Sequence, residues 1–428
     1  MSQKLRQKIT GNELRFFLYT SAFVLFLSAF LLATPAEIYE GMKKIVFSRD
    51  VLLTDYFKIA GYGASFFNAG LLLLFAIFII EFEKIPFTGI TMATLSIVTC
   101  YGFWGKNLFT AFPILLGNFL FAKLHRSPWS RYIYIGLFGI CLGPVVKEMV
   151  YLLPFASEIN LLCAFLIGVV IGFILPPLSA HTTSMHLGYN LFNVGFSAGI
   201  LAFAINCIIR SFGLVVEGDS VWQEGMHPGI TIGIYLFFIL TFIYGYWLSG
   251  WDIRSLWKIM RHPGRAVADF VLMDGPGATL MNMSAVGLIG QTYILLISGD
   301  FSGPVQGAVI MAFGFAAFGA HIKNYLPVLL GVALSTLFSQ YSLNTYGIQI
   351  AALFAVGLSP IAGQFGVFAG VFAGMLHSAI VMCTSPMYGG LNLYNNGFSA
   401  GWVAIIMVPL IESFISHFEM RKKEKNHK

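Results

Sequence analysis

Long runs of apolar residues, separated by short polar connections, make up most of this chain. About 14 such segments can be distinguished, and a helical run of roughly 18–25 apolar residues crosses a hydrocarbon core of about 30 Å. The segments lie at residues 14–35, 58–80, 87–104, 108–122, 132–147, 159–178, 188–209, 228–250, 272–298, 304–319, 324–340, 346–361, 364–384 and 391–415. The pattern predicts an all-α polytopic membrane protein of about 12–14 transmembrane or half-spanning helices.

The composition supports a membrane location. Hydrophobic residues make up 57% of the chain and charged residues only 10%, with a mean hydropathy of +0.79. A soluble domain needs far more charge to solvate its surface. Residues 16–34 lack a convincing cleavage site, so we expect a retained helix rather than a signal peptide. The lipid bilayer is therefore an expected partner.

Other classes of protein find little support in the sequence. The net charge of +6 lies in a few loops and both tails, so it does not indicate nucleic-acid binding. The five cysteines lack CxxC spacing and indicate neither a disulfide framework nor a zinc site. No motif for ATP hydrolysis or proteolysis occurs. We therefore expect no metal, no cofactor and no enzymatic activity.

A duplication is visible at the level of single residues. Asp55 and Asn68 have identical counterparts in Asp269 and Asn282, each 214 positions later. A second block, GYNLFNVGFSAG at 188–199, matches GLNLYNNGFSAG further along the chain. The duplication predicts a first repeat at 1–210, a linker at 211–227 and a second repeat at 228–428.

Loop charge predicts how the two repeats are oriented. Basic residues concentrate at 123–131 and 251–265, whereas the segment 211–227 is acidic. Equivalent loops differ in charge character, so we expect them on opposite sides of the membrane. The repeats would then be inverted, with both termini cytoplasmic and the linker external.

Polar side chains recur inside the second duplicated block. On a helix their spacing of i, i+3 and i+7 forms one polar stripe. The two stripes are Asn190, Asn193 and Ser197, and Asn392, Asn395 and Ser399. Gly195 and Gly397 lie beside them and allow helices to approach closely. Proline-rich sequence at 176–184 and 384–390 precedes each block and predicts a re-entrant or broken segment.

The first duplicated block has a similar character. Asn68 and Asn282 follow Gly63 and Gly277, which we interpret as close-packing glycines. Inverted symmetry would bring the asparagine-bearing segments together near the midplane, as the lining of a substrate site. An amide offers donors and an acceptor without charge, which suits a polar solute or a dehydrated ion. The alternative is that these amides only hold helices together.

Several ionisable residues are further candidates. His186 and His321 have no histidine counterpart and could bind solute or relay a proton, or serve as structural hydrogen-bonding residues. Asp55 and Asp269 are expected to cap helices or contact an interface rather than couple to an ion. Lys106 and Lys323 could lie in an aqueous vestibule or snorkel towards the membrane surface, and Lys147-Glu148 is expected in a loop.

Two resemblances follow from these motifs. The blocks HLGYNLFNVGFSAG, GGLNLYNNGFSAG, GYGASFFNAG and FPILLG resemble an uncharacterised bacterial membrane-protein family, domain of unknown function 1576. This resemblance implies a multi-pass protein of the bacterial cytoplasmic membrane and implies no substrate. A fainter similarity, carried by Tyr189-Asn190 and the glycine–asparagine pattern at 61–68, is to urea transporters, although Leu191 replaces their usual glycine.

The leading functional hypothesis is a transporter or channel for a small polar solute, with its site at the interface of the repeats. A coupling proton or ion and a homo-oligomeric state are left open. One alternative is a membrane enzyme acting on lipid-linked substrates, which would need acidic residues and histidines clustered at one face. A second alternative is a non-transporting scaffold, in which the asparagines would pack without a cavity.

Overall fold

The computed structural model describes residues 3–50, 53–216, 220–391 and 395–426. The first half contains α1 (Gln3–Leu32), α2 (Pro35–Phe47), α3 (Tyr56–Ala60), α4 (Tyr62–Phe82), α5 (Gly89–Tyr101), α6 (Leu108–Leu124), α7 (Ile133–Gly139), α8 (Gly143–Leu152), α9 (Ser157–His186) and α10 (Asn193–Ser211). The second half contains α11 (Pro228–Leu248), α12 (Arg254–Ile259), α13 (Phe270–Asp274), α14 (Pro276–Leu296), α15 (Gly303–Phe315), α16 (Ile322–Ser335), α17 (Tyr346–Phe354), α18 (Ser359–Phe365), α19 (Val367–Met387) and α20 (Asn396–Asn426). Two short parallel strands, β1 (Leu53–Thr54) and β2 (Ser220–Val221), tie the linker to the first half.

Helices suited to a bilayer dominate the architecture. In the part of the chain that the structure describes, ten helical segments are long and apolar enough to span a membrane, and α5, α6, α15 and α16 are shorter apolar helices. Helices α1 and α11 expose most of their apolar surface, whereas nearly every residue of α5 and α15 is buried. The prediction of an all-α polytopic membrane protein is confirmed.

The helices recur in the same order in both halves. Helices α3, α4 and α5 have bounds that recur 214 residues later in α13, α14 and α15. The turn between the first two helices of each set is made by Gly61 and Gly275, with φ of +83° and +89°. A side chain is strained at such angles, so glycine is required at both equivalent turns.

The two short helices α5 and α15 form the centre of the fold and run in opposite directions. A Cβ added to Gly89 would lie 2.3 Å from the backbone oxygen of Ala317, and one added to Gly303 would lie 2.6 Å from that of Phe103. The start of each helix therefore lies beside the end of the other. Small residues along both helices permit this approach, because larger ones would separate the backbones.

A second contact between equivalent elements joins the starts of α10 and α20. A Cβ on Gly195 would lie 3.2 Å from Cα of Gly397, and a Cβ on Gly397 would lie 2.8 Å from Cα of Gly195. Matching glycines of the two halves thus touch each other. Elsewhere, Gly63 lies against the end of α1, and Gly277 lies against the end of α11.

Three local predictions are wrong. The helix α9 continues through Pro176 and Pro177 to His186, so the first proline segment is neither broken nor re-entrant, whereas α19 ends at Met387 inside the second segment, 384–390. Membrane helices tolerate proline where neighbouring groups satisfy the freed carbonyls. The pair Lys147-Glu148 lies inside α8 and is buried rather than in a loop. Asn190 precedes α10, so it does not share a helical stripe with Asn193.

Candidate functional site

Two aspartates connect the halves through helix capping. Asp55 caps α3 through the N–H of Phe57 at 2.8 Å and also accepts the N–H of Gly303, the first residue of α15, at 3.1 Å. Burial raises the pKa of Asp55 to about 6, and the N–H donors oppose that rise. Asp269 caps α13 and accepts the N–H of Gly89 in the same way. The prediction that both aspartates cap helices is confirmed.

Asn68 and Asn282 hold equivalent bends inside their own halves. The Nδ2 of Asn68 donates to the backbone oxygens of Gly102 and Lys106 at 2.8 and 2.9 Å. The Nδ2 of Asn282 donates to the backbone oxygens of Ala316 and Ala320, both at 2.8 Å. Each amide therefore fixes the loop that follows a short central helix, and in the first half that loop carries Lys106.

Asparagines at the starts of α10 and α20 bond across the two halves. Asn190 donates to the backbone oxygen of Gly397 at 3.1 Å, and Asn395 donates to that of Gly195 at 2.6 Å. Asn392 lies outside the described residues. These bonds lock the two helix starts together at the point where the matching glycines meet.

Asn193 belongs to a separate network between α9 and α10. Its Oδ1 accepts from Thr182 at 2.8 Å and lies 2.9 Å from Nε2 of His186, while its Nδ2 donates to Ser179. Ser197 joins this network through Thr182 at 2.7 Å. Every polar atom of Asn193 thus has a partner within the first half, and His186 is a hydrogen-bonded, buried residue.

In the second half, the serine equivalent to Ser197 has a different partner. Ser399 lies 3.0 Å from Nδ1 of His377, a fully buried histidine of α19. The sequence analysis did not select His377, because no motif surrounds it and Leu175 occupies the matching position. His321 caps α16 through the N–H of Asn324, and its Nε2 lies 2.9 Å from the backbone oxygen of His262. Proton relay by His186 or His321 stays a prediction.

A small cavity lies where the two halves meet, and we call it the central cavity. Its volume is about 40 Å³. Its polar lining comes from both halves, and aromatic and aliphatic residues complete the wall. The residues that define it are Tyr101, Trp104, Lys106, Gly195, Asn395 and Asn396. Asn395 and Gly195 were selected from the sequence, whereas Asn68 and Asn282 do not line the cavity. Asn68 supports the loop that carries Lys106.

Lys106 is the charged residue of this cavity. Its side chain is 2% exposed, and its Nζ lies 4.4 Å from the ring centre of Trp104 and 5.2 Å from that of Tyr101. Among the described residues, no carboxylate lies within 4 Å of this ammonium group. The sequence marked Lys106 only as a vestibule candidate, since its position at the interface depends on tertiary contacts.

A buried ion-pair cluster lies close to Lys106. Lys147 pairs with Asp50 at 2.8 Å, and Asp50 also accepts the hydroxyl of Tyr56 at 3.1 Å. Arg49 and Glu148 form a second pair beside it. The negative charges of Asp50 and Glu148 are thus matched by Lys147 and Arg49, and the charge of Lys106 is left over.

The polar cluster has no equivalent in the second half. The positions that match Asp50, Tyr56, Lys106 and Lys147 are occupied by Gly264, Phe270, Ala320 and Gly363. A Cβ on Gly363 would lie 2.0 Å from the backbone oxygen of Pro263, so direct backbone packing replaces the ion pair there. The duplicated fold is therefore asymmetric in charge around its centre.

A larger cavity of about 330 Å³ opens between α1 and α11. Its lining is mostly apolar, with Phe17, Leu25 and Phe237 among the wall residues and Ser96 and Thr99 at its base. Helices α1 and α11 are, with α9, the spans that bury least of their apolar surface. This crevice faces the lipid region, so the central cavity is the better candidate for a polar ligand.

These features define a polytopic α-helical membrane protein with a polar cavity between two structurally matching halves. The family model "Protein of unknown function (DUF1576)" matches residues 34–211 and 248–413. The chain belongs to this family. No curated protein and no solved structure matches the chain, so the similarity to urea transporters gains no support.

Proposed function

We propose that this chain is a membrane transporter or channel for a small polar solute, and not an enzyme. The two repeats, 1–210 and 228–428, are inverted and enclose the site near the bilayer midplane. The observation that carries the proposal is the meeting of matching elements around the central cavity. Gly195 touches Gly397, and α5 runs antiparallel to α15. Equivalent elements with opposite directions are what a two-fold axis in the membrane plane produces.

Contacts at the two ends of the bundle support the inverted arrangement. At one end the acidic linker contacts the starts of α3 and α15, through Gln223 to Asp55 and Phe301 to Gly225. At the other end lie the basic side chains of Arg15, which pairs with Glu81, and Arg265, which donates to the first half. The positive-inside rule places this second end in the cytoplasm.

Asparagine side chains provide uncharged polar groups at and around the proposed site. Asn395 contributes uncharged polar lining to the central cavity. Asn190 bonds to the backbone of Gly397 beside it. A buried amide costs several kcal/mol when unsatisfied in hydrocarbon, and each described amide here is satisfied at least in part. Asn68, Asn190, Asn193 and Asn282 would then position the backbone around the solute.

Flux into proteoliposomes tests the proposal. Purified protein is reconstituted, and uptake of radiolabelled urea, nucleobases, amino acids and small anions is compared with empty liposomes. Saturable uptake of one solute supports transport. No flux for any solute, with correctly inserted protein, contradicts it and favours the scaffold or an enzyme.

Cysteine labelling tests the topology separately. In a background with Cys163, Cys207 and Cys383 replaced by serine, Ser220→Cys should react with an impermeant maleimide in intact cells. Ser127→Cys should react only after permeabilisation. The reverse result, or labelling of both residues from outside, contradicts the proposed orientation.

A further inference from the structure

We infer that the central cavity binds a small monovalent anion, of the size of formate or nitrate, with Lys106 as its counter-charge. The anion would be the solute of the proposed transporter, and this part rests on the proposed function. Binding of the anion does not require transport. A buried ammonium group is costly unless a negative group faces it.

Among the described residues no carboxylate lies within 4 Å of Lys106, although Asp50 attracts its ammonium group from farther away. Asp50 is engaged by Lys147 and Tyr56, and Glu148 by Arg49. The residues lining the central cavity include no carboxylate, and Lys106 forms no salt bridge in the described ranges. The rings of Trp104 and Tyr101 stabilise the cation far less than full desolvation destabilises it. A negatively charged ligand would neutralise the ammonium group of Lys106.

Two helix starts add to the positive potential. Gly195 is in the first turn of α10 and Gly397 in the first turn of α20, and both line the cavity. The first backbone N–H groups of a helix have no acceptor within it, and the helix dipole favours an anion there. The same dipoles would repel a cation that shares the cavity with Lys106.

The size of the cavity limits the ligand. A water molecule needs about 10–15 Å³ of such space, so the 40 Å³ present holds about three waters. This volume suits a short carboxylate or a small inorganic oxyanion, and it excludes sugars, amino acids and nucleobases in this conformation. The aromatic and aliphatic wall keeps bulk water away, which strengthens the attraction between an anion and Lys106.

The asymmetry between the halves fits an anion that binds to one side of a pseudo-symmetric site. Asn68 holds the backbone oxygen of Lys106, while the matching Asn282 holds that of Ala320. The same supporting geometry thus carries an ammonium group in one half and a methyl group in the other. Packing alone would need no lysine, since alanine fills the equivalent place.

Binding is tested by the shift in unfolding temperature of the purified protein. Sodium formate and sodium nitrate are titrated against sodium gluconate at constant ionic strength, with urea as a neutral solute. We expect a saturable rise with formate or nitrate and none with urea. Lys106→Met should lower the apparent affinity about tenfold or more, as the loss of one charge-assisted bond implies. Lys106→Arg should retain most of it.

The matched control is Lys323→Gln, which removes an exposed lysine near the start of α16. It should bind as the wild type does. If Lys106→Met does not fold, the comparison of formate and nitrate with urea on the wild-type protein still tests whether the cavity binds anions. No saturable shift with either anion, or an equal shift in folded Lys106→Met, overturns the inference.

Flux separates this inference from the proposed function. Saturable anion binding without flux in proteoliposomes supports the anion site and contradicts transport. Flux of an uncharged solute that Lys106→Met leaves unchanged supports transport and contradicts an anion as the transported solute. Formate or nitrate flux that is lost in Lys106→Met and kept in Lys323→Gln supports both.

Discussion

The carboxylate of Asp269 accepts the backbone N–H of Gly89, with 2.8 Å between Oδ1 and N. The acceptor lies in the second half of the chain and the donor begins α5 in the first. Asp55 makes the reciprocal bond to Gly303 at 3.1 Å. Each half therefore supplies an acceptor for the first N–H of the central short helix of the other.

Removing one of these caps should destabilise both halves together. Asp269→Ala is expected to lower the free energy of unfolding by about 2 kcal/mol or more, because a charged cap serves two helices. Asp269→Asn should lower the free energy of unfolding by less, since one side-chain oxygen remains as an acceptor. Unfolding in detergent measures the effect. Glu40→Ala, which removes an exposed ion pair, is the control and should change little. A similar loss in both variants would contradict the capping role.

The contact between matching glycines leads to a second prediction. Gly397→Ala places a Cβ within 2.8 Å of Gly195 and should cost about 1–3 kcal/mol. Gly195→Ala should cost less, because its nearest contact is 3.2 Å. Gly233 lies on α11, and a Cβ added there would meet no atom within 4 Å, so Gly233→Ala should be neutral or slightly stabilising. Unfolding temperatures in one detergent rank the three variants, and any other order contradicts close packing at this point.

The ion pair of Lys147 and Asp50 yields a third prediction. Lys147→Met alone leaves Asp50 buried without its partner and should destabilise by about 3–5 kcal/mol. The double variant Asp50→Asn with Lys147→Met should recover most of this loss, because neither position of the pair then carries a lone buried charge. A double-mutant cycle on unfolding free energies measures the coupling. Additive losses would mean that the pair does not interact in the membrane-embedded protein.

The equivalent asparagines allow a matched fourth prediction. Asn68→Leu and Asn282→Leu each remove donors from two backbone oxygens, and both should destabilise by about 1–3 kcal/mol per lost partner. Only Asn68→Leu displaces the loop of Lys106, so only it should weaken anion binding in the fraction that folds. Formate titrations of the two purified variants make the comparison. Equal weakening in both would contradict a positioning role for Asn68.

The local physics of the sequence predicted the class of the protein. Apolar runs must be helical in lipid because their backbone groups have no other partners, so the membrane helices and their number follow from hydropathy. The capping role of Asp55 and Asp269 was also readable, because a short-range bond to the next turn depends on neighbouring residues. The course of α9 through Pro176 was misjudged, since neighbouring helices decide whether a proline breaks a membrane helix.

The site depended on contacts that the sequence does not encode locally. Repetition drew attention to Asn68 and Asn193, yet their partners are backbone and hydroxyl groups of their own half. Lys106 carried no repeated signal and became prominent because folding places it between Trp104 and the start of α20. A residue's chemistry is set by its type, but the balance of buried charge depends on which distant groups surround it, and tertiary packing alone decides that.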